Sequence, residues 1–523
     1  MISKKKKEVF YIIFLFLFST TFNQYYGFLG INPIDSFFSF NSGYEILNGF
    51  YPFKDYWTIT GPFIAFIQAL FFKIFNVSWF SYVLHASIFN FIFAGSLFYT
   101  LYKFKLNTHY CFFYSLLIAM LAYPSAGTPY VDHHASYLSV IGLFCFILGL
   151  KTDSKIYWFI LPIILGISFL TKQTPTGHFF IIITFLTAIY FYINFELKSI
   201  ILLILGSITI IFIFLITLYI TKIPLFAFFE QYIQFPLSIG ENRLDFLFPL
   251  EFKRVVLRFK LIHFFLLILI FIVIREIKRN NKFIKDNDFL IIVSLISSSL
   301  ALIAHQLMTI NGLFIYFIIP ILAGFAHIFY FKYLKKGNYF FYIMILLCFF
   351  STIHYVKKYV HSRDFSDLAK VDLNKAIDAK LIDKKFNGLK WITPLYPNDP
   401  LDELEKLNEV LDIISSDSKN KAIITDYQFI SVKLSMYDNS PNQVWFINHI
   451  LNQDEKSKFF RIYKKFFLDK LKENKVEIIY VVKPLWGGNE VFLKALNNNC
   501  VKKNKITEIL DGYLLEQCVE LNN

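Results

Sequence analysis

Residues 199–220 read SIILLILGSITIIFIFLITLYI, twenty-two residues without a charge. A helix needs about 20 apolar residues to cross the hydrocarbon of a bilayer. Backbone amides in lipid have to be satisfied within the segment, so a run of this kind is read as a spanning helix. Comparable runs lie near 9–22, 80–101, 109–124, 134–150, 156–171, 177–194, 260–275, 289–308, 312–331 and 338–355. With 199–220 they make eleven predicted spans. The 523 residues are 56% hydrophobic, 20% aromatic and 17% charged, and 66 are Phe. A soluble domain carries about 25% charged residues. The composition excludes a disordered, collagenous or disulfide-framework protein, and it excludes a wholly soluble enzyme.

The net charge of +14 is unevenly spread. Residues 1–356 hold 26 Lys and Arg against 14 Asp and Glu, whereas residues 357–523 hold 26 against 24. The cations of the first part sit on short connections between apolar runs. There they orient a membrane protein rather than form a nucleic-acid patch. Lys4 to Lys7 precede the first run, and no small-residue cleavage site follows it. An uncleaved first span with a cytoplasmic N-terminus is therefore expected. Residues 61–75, opened by Gly61-Pro62, are read as a short interfacial or re-entrant helix. With eleven spans, 17 of the 26 cations fall inside and the C-terminus falls outside. The long segments 28–60, 125–133 and 222–259 then lie on the outer face.

After residue 356 the pattern changes to charged helical stretches and short apolar strands such as Ala422-Ile423-Ile424 and Ile478-Ile479-Tyr480-Val481-Val482. This predicts a transmembrane domain over 1–356 and a small α/β soluble domain over 357–523, placed outside. Cys500 and Cys518 are the tail's two cysteines, and an oxidising compartment would pair them. The sequence holds no Walker loop, dinucleotide fingerprint or His-Glu-x-x-His.

Carboxylates are scarce in the first part, and eight face outward in this topology: Asp35, Glu45, Asp55, Asp132, Glu230, Glu241, Asp245 and Glu251. Asp35, amid aromatic residues in Asn32-Pro33-Ile34-Asp35-Ser36-Phe37, suits a desolvated general base or, equally, a turn acid after Pro33. Lys172 at an outer span end suits a phosphate or a snorkelling cation. Arg243 offers a planar fork for phosphate. Arg254, Arg258 and Lys260 read as contacts to anionic lipid heads. His305-Gln306, before Asn311-Gly312, reads as the end of a helix.

Three stretches carry a resemblance: Ile46-Leu47-Asn48-Gly49-Phe50-Tyr51-Pro52-Phe53-Lys54-Asp55-Tyr56-Trp57 followed by Thr60-Gly61-Pro62, then Tyr130-Val131-Asp132-His133-His134-Ala135, and Gly166-Ile167-Ser168-Phe169-Leu170-Thr171-Lys172-Gln173-Thr174. Together with Asp35 they resemble the GT-C glycosyltransferases, polytopic enzymes using polyprenyl-phosphate sugars. The bacterial branch of protein O-mannosyltransferases and the aminoarabinose transferase is the nearest likeness. Ser36 follows Asp35 where that family carries a second acid. The resemblance covers residues 1–220 well, 222–356 weakly, and says little about the tail.

The resemblance implies an inverting transfer of a hexosyl or pentosyl group from a polyprenyl-phosphate sugar to a cell-surface glycan, lipid or protein on the outer face. Asp35 would be the base. Asp132 would position acceptor or base, or help hold a divalent cation (Mg or Mn) with Asp35. Asp55, Lys172, Gln173, Arg243, His133 and His134 would bind substrate. The partners would be the lipid-linked donor, the acceptor and membrane lipids, with no nucleic acid. The location would be a multi-pass protein of the inner (plasma) membrane if bacterial. A transporter or flippase of lipid-linked sugar, or an assembly subunit, is the alternative. A transporter normally shows spans broken in corresponding halves, and no such repeat is visible.

Overall fold

The computed structural model describes residues 4–238, 245, 247–248, 250–309, 313–334, 338–445, 457–486, 491–496 and 501–515. Each of the eleven apolar runs lies on a helix. Eight helices are long and apolar enough to cross a membrane, which makes the chain a polytopic helical membrane protein. The other three fall short of that measure for physical reasons. Thr108–Leu121 and Ile156–Phe169 have 14 residues each, a rise of about 21 Å. Lys260–Arg279 carries Lys260, Arg275, Glu276, Lys278 and Arg279. The Cys500–Cys518 pairing lies outside the described residues.

The chain divides into two compact units, each built from three separate segments. The first comprises Met1–Gly27, Val83–Ile216 and Asn242–Phe365 and holds most of the long apolar helices. Its centre is Val131–Lys151, whose most apolar window is 94% buried, against 6% for Leu197–Thr221. An apolar helix that packs on almost nothing inside the protein is a lipid-facing one. Val131–Lys151 and Ile156–Phe169 pack as an antiparallel pair. Gly142 and Gly149 allow it: a Cβ at Gly142 would lie 2.7 Å from the Leu165 side chain, and one at Gly149 2.9 Å from Trp158. The turn of this hairpin is short, so the start of the first helix comes beside the end of the second.

The second unit comprises Phe28–Tyr82, Thr217–Glu241 and Ser366–Asn523. Its four-stranded sheet runs in the order Lys421–Thr425, Ile478–Val482, Leu510–Leu514, Lys502–Lys505. The first pair is parallel and the others antiparallel. The two parallel strands are buried throughout, as the apolar runs Ala422-Ile423-Ile424 and Ile478 to Val482 require. The outer strand Lys-Lys-Asn-Lys is exposed, and its lysines oppose edge-to-edge pairing. Pro400–Ser416 begins with Asp399 capping Asp402 N at 3.2 Å, and Lys458–Glu473 with Ser457 capping Phe460 N at 3.1 Å. The segment after the first span joins this unit through its backbone. Gly30 N donates to Lys390 O at 2.9 Å, Ile31 N to Ile392 O at 3.0 Å and Trp57 N to Pro441 O at 2.9 Å. The short helix Phe63–Phe75 has 13 residues, too few to cross a bilayer.

Candidate functional site

Asp132 stands in the first turn of Val131–Lys151 and is fully buried. The chain leading to it is held in place. The buried guanidinium of Arg363 donates to the carbonyls of Pro124 at 3.1 Å, Ser125 at 3.2 Å and Ala126 at 2.9 Å. Gly127 follows at φ +81°, where a Cβ would fall 2.6 Å from Gly27 Cα, so only glycine fits this reversal.

Lys172 lies three residues past the end of Ile156–Phe169, and its amide donates to Ser168 O at 3.1 Å. The helix pair delivers it to Asp132: Lys172 Nζ donates to Oδ1 at 2.7 Å and to Oδ2 at 2.6 Å. Its side chain keeps 16% exposure, whereas Asp132 has none. A hydroxyl cluster anchors the junction. Ser168 Oγ donates to Ala135 O at 2.7 Å and shares hydrogen bonds with Ser139 at 2.9 Å and Thr176 at 2.8 Å.

A third residue completes the group. His305 is fully buried on Asn287–Thr309, and its Nε2 lies 3.5 Å from Asp132 Oδ1. The helix ends at Thr309, close after His305 as the sequence suggests, and the residue also brings its ring to the carboxylate. Arg254 Nη2 donates to Leu307 O at 2.8 Å on the same helix. His178, in the first turn of Thr176–Ile193, lies within electrostatic range of His305. No motif pointed to His178. The available signal was a histidine in the first turn of an otherwise apolar span.

His133 and His134 are buried but turn away from this group. Successive residues on a helix point about 100° apart. His133 Nε2 meets Ser125 Oγ at 3.0 Å, and His134 Nε2 meets His85 Nε2 at 3.0 Å. Among the described residues no three His, Cys, Asp or Glu side chains stand together to hold a metal ion. At Asp132 both oxygens accept from the Lys172 ammonium. Gln173 accepts from Gly177 N through its carbonyl at 2.7 Å, bracing the turn before the next helix. Arg243 lies outside the described residues.

Asp35 and Asp55 belong to the second unit. Asp35 is half-buried in the one-turn helix Pro33–Ser36, with its amide donating to Asn32 O at 3.1 Å. Asp55 Oδ2 accepts from Tyr51 N at 2.7 Å while Asp55 N donates to Tyr51 O at 2.9 Å, closing the Tyr51–Asp55 turn.

No family model and no curated protein matches the chain. Among solved structures it is similar to an Archaeoglobus fulgidus oligosaccharyltransferase tethered with an acceptor peptide, at 14% identity and a TM-score of 0.45, covering 92% of this chain and 69% of that one. It is also similar to ArnT from Cupriavidus metallidurans. The apo state matches at 11% identity and a TM-score of 0.48 over 97% of each chain. The form bound to undecaprenyl phosphate matches at 10% identity and 0.43 over 98% of each.

Proposed function

We propose that the chain is a membrane glycosyltransferase that moves a sugar from a polyprenyl-phosphate donor to a hydroxyl acceptor on the outer face of the membrane, with inversion. The acceptor class is a glycan, lipid or protein of the cell surface. The observation that carries this reading is the buried Asp132 carboxylate clamped by Lys172. It unites two motifs forty residues apart and leaves the ammonium as the partly exposed member of the pair.

The chemistry needs a base for the acceptor and a cation for the leaving group. The acceptor oxygen attacks the anomeric carbon as the carbon–oxygen bond to phosphate breaks. The electron pair leaves with the phosphate, and the acceptor proton passes to a carboxylate. Lys172 supplies the cation, and its third N–H remains to meet a phosphate oxygen. Asp132 and His305 are positioning residues: Asp132 fixes the ammonium, and His305 lies against the carboxylate that does so. Asp35 is the base in this reading. The N-terminus lies in the cytoplasm and the sheet-bearing segments outside.

The test is release of polyprenyl phosphate by the purified full chain from a panel of polyprenyl-phosphate sugars, with and without acceptor. Acceptor-dependent release is expected, and Asp35→Asn should lower it by roughly 10²–10⁴-fold, the usual effect of losing a general base. No release from any donor by well-folded protein overturns the enzyme reading. Asp35→Asn protein that keeps more than about a tenth of the rate removes Asp35 from the base role.

A further inference from the structure

The second unit contains a pair of carboxylates that the glycosyl-transfer reading does not use. Glu45, on Phe38–Leu47, is 5% exposed, and Asp438, in the loop after Phe429–Leu434, is 6% exposed. Both line one small cavity with about 10 Å³ of water-sized space, room for about one water molecule. Among the described residues neither carboxylate takes part in an ion pair with Lys, Arg or His, and the cavity wall holds no cationic side chain. Asn41 Nδ2 donates to Glu45 Oε1 at 2.9 Å, and Ser440 N donates to Asp438 Oδ1 at 3.0 Å. Glu45 Oε2 has no hydrogen-bond partner. An independent feature points the same way. Gln428, 4% exposed, donates its Nε2 to Gln443 O, and its Oε1 is left unpartnered on the same cavity.

We infer that Glu45, Asp438 and Gln428 form a binding site for a single divalent cation of the calcium type, which ties the segment after the first span to the C-terminal sheet. Two buried charges without a counter-charge are strongly unfavourable, and a bound dication removes the imbalance. The lining donors are oxygens: two carboxylates, the Gln428 amide, and side chains such as Thr425 and Asn442. No Cys or His lines the cavity, which points away from zinc and copper and toward a hard cation. Magnesium keeps several of its waters, and this space admits about one. Calcium accepts irregular shells of carboxylate and amide oxygens. The site uses neither Asp132 nor Lys172 and holds whether or not the chain transfers sugar.

The experiment uses the purified full chain stripped with a chelator and titrated with calcium chloride. Equilibrium dialysis should find one calcium per chain lost in Glu45→Gln. The Tm should rise by about 2–3 °C at a hundredfold excess over the dissociation constant. Magnesium chloride at the same concentration should give less than half that rise. Glu45→Gln and Asp438→Asn, isosteric and neutral, should abolish the calcium response. An unchanged wild-type Tm with no calcium bound overturns the site and leaves a carboxyl pair sharing a proton. A response that survives in both variants, or one equal for magnesium, overturns it too. If neither variant can be purified folded, the wild-type titration decides alone.

Discussion

Asp132 and the Glu45–Asp438 pair are both buried, and they solve the problem of a buried carboxylate in different ways. Asp132 lies against an ammonium at 2.6 Å that the chain itself supplies. Among the described residues Glu45 and Asp438 have no ion-pair partner, and they accept from Asn41 Nδ2 and Ser440 N. Burial pushes both of the latter upward from the ordinary carboxylate range, and the charge of Asp438 adds to the rise at Glu45. A third case lies between them. Glu403, also buried, accepts from Trp391 Nε1 at 2.9 Å, Thr393 Oγ1 at 3.0 Å and Tyr427 Oη at 2.7 Å. Burial still raises it, and those three donors hold the rise down. An ion pair, a ring of donors and an uncompensated pair therefore form a graded series. The lesson is that burial alone does not mark a working carboxylate; what neutralises it does.

The sharpest way to break this comparison is to remove the ammonium. Lys172→Gln leaves Asp132 charged and buried, and loss of one partner of such a pair costs about 3–5 kcal/mol. The double variant Lys172→Gln/Asp132→Asn removes both charges and should recover most of that stability, while polyprenyl-phosphate release stays down by at least about 100-fold. Thermal unfolding and the release assay, run on the same preparations, read the two effects separately. A double variant as unstable as the single one would show that the ion pair is not what stabilises the junction. Recovered release would take Lys172 away from the phosphate.

Much of this was legible before the fold. The apolar runs were, because a window of uncharged residues is read locally and each one lies on a helix. Asp132 and Lys172 were each visible as motif residues, but their pairing was not. It depends on the close approach that Gly142 and Gly149 permit between two helices. The helix end near His305 was legible from Asn311-Gly312, but its approach to Asp132 was not, because that contact depends on packing between helices distant in the chain. Glu45 and Asp438 lie 393 positions apart, and no spacing rule connects them. The segment 28–60 gave no sign that its backbone would pair with Lys390, Ile392 and Pro441.

The middle member of the series is tested by trimming one donor. Tyr427→Phe removes the 2.7 Å bond to Glu403 Oε1 and keeps the ring's packing. Hydrogen bonds to charged groups contribute about 1.5–3 kcal/mol. A loss of stability on the order of 1 kcal/mol or more, read as a lowered Tm, is expected. No loss would mean that Trp391 and Thr393 suffice, and the series would lose its middle step.

The smallest effect concerns a further buried carboxylate, Asp426, and it has the opposite sign. Its Oδ2 accepts from Trp486 N at 2.8 Å while Oδ1 has no partner. Burial pushes the carboxyl up to about 6. A folded value above the unfolded one means that the folded state favours the proton. The ionised form therefore lowers stability at pH above about 6, and the cost fades as pH falls toward 4. Two units correspond to roughly 3 kcal/mol at most. Asp426→Asn removes that cost and keeps an oxygen for Trp486 N, but it exchanges a charge-assisted bond for a neutral one, worth about 1–2 kcal/mol less. A net gain on the order of 1 kcal/mol at pH 7.5 follows. At pH 4.5 the gain should vanish or reverse, since the wild-type carboxyl is then protonated in the fold. Tm measured for both proteins at the two pH values checks the sign. A gain at pH 4.5 as large as at pH 7.5 would show that Asp426 is not held ionised against its surroundings, and that Trp486 N alone neutralises it.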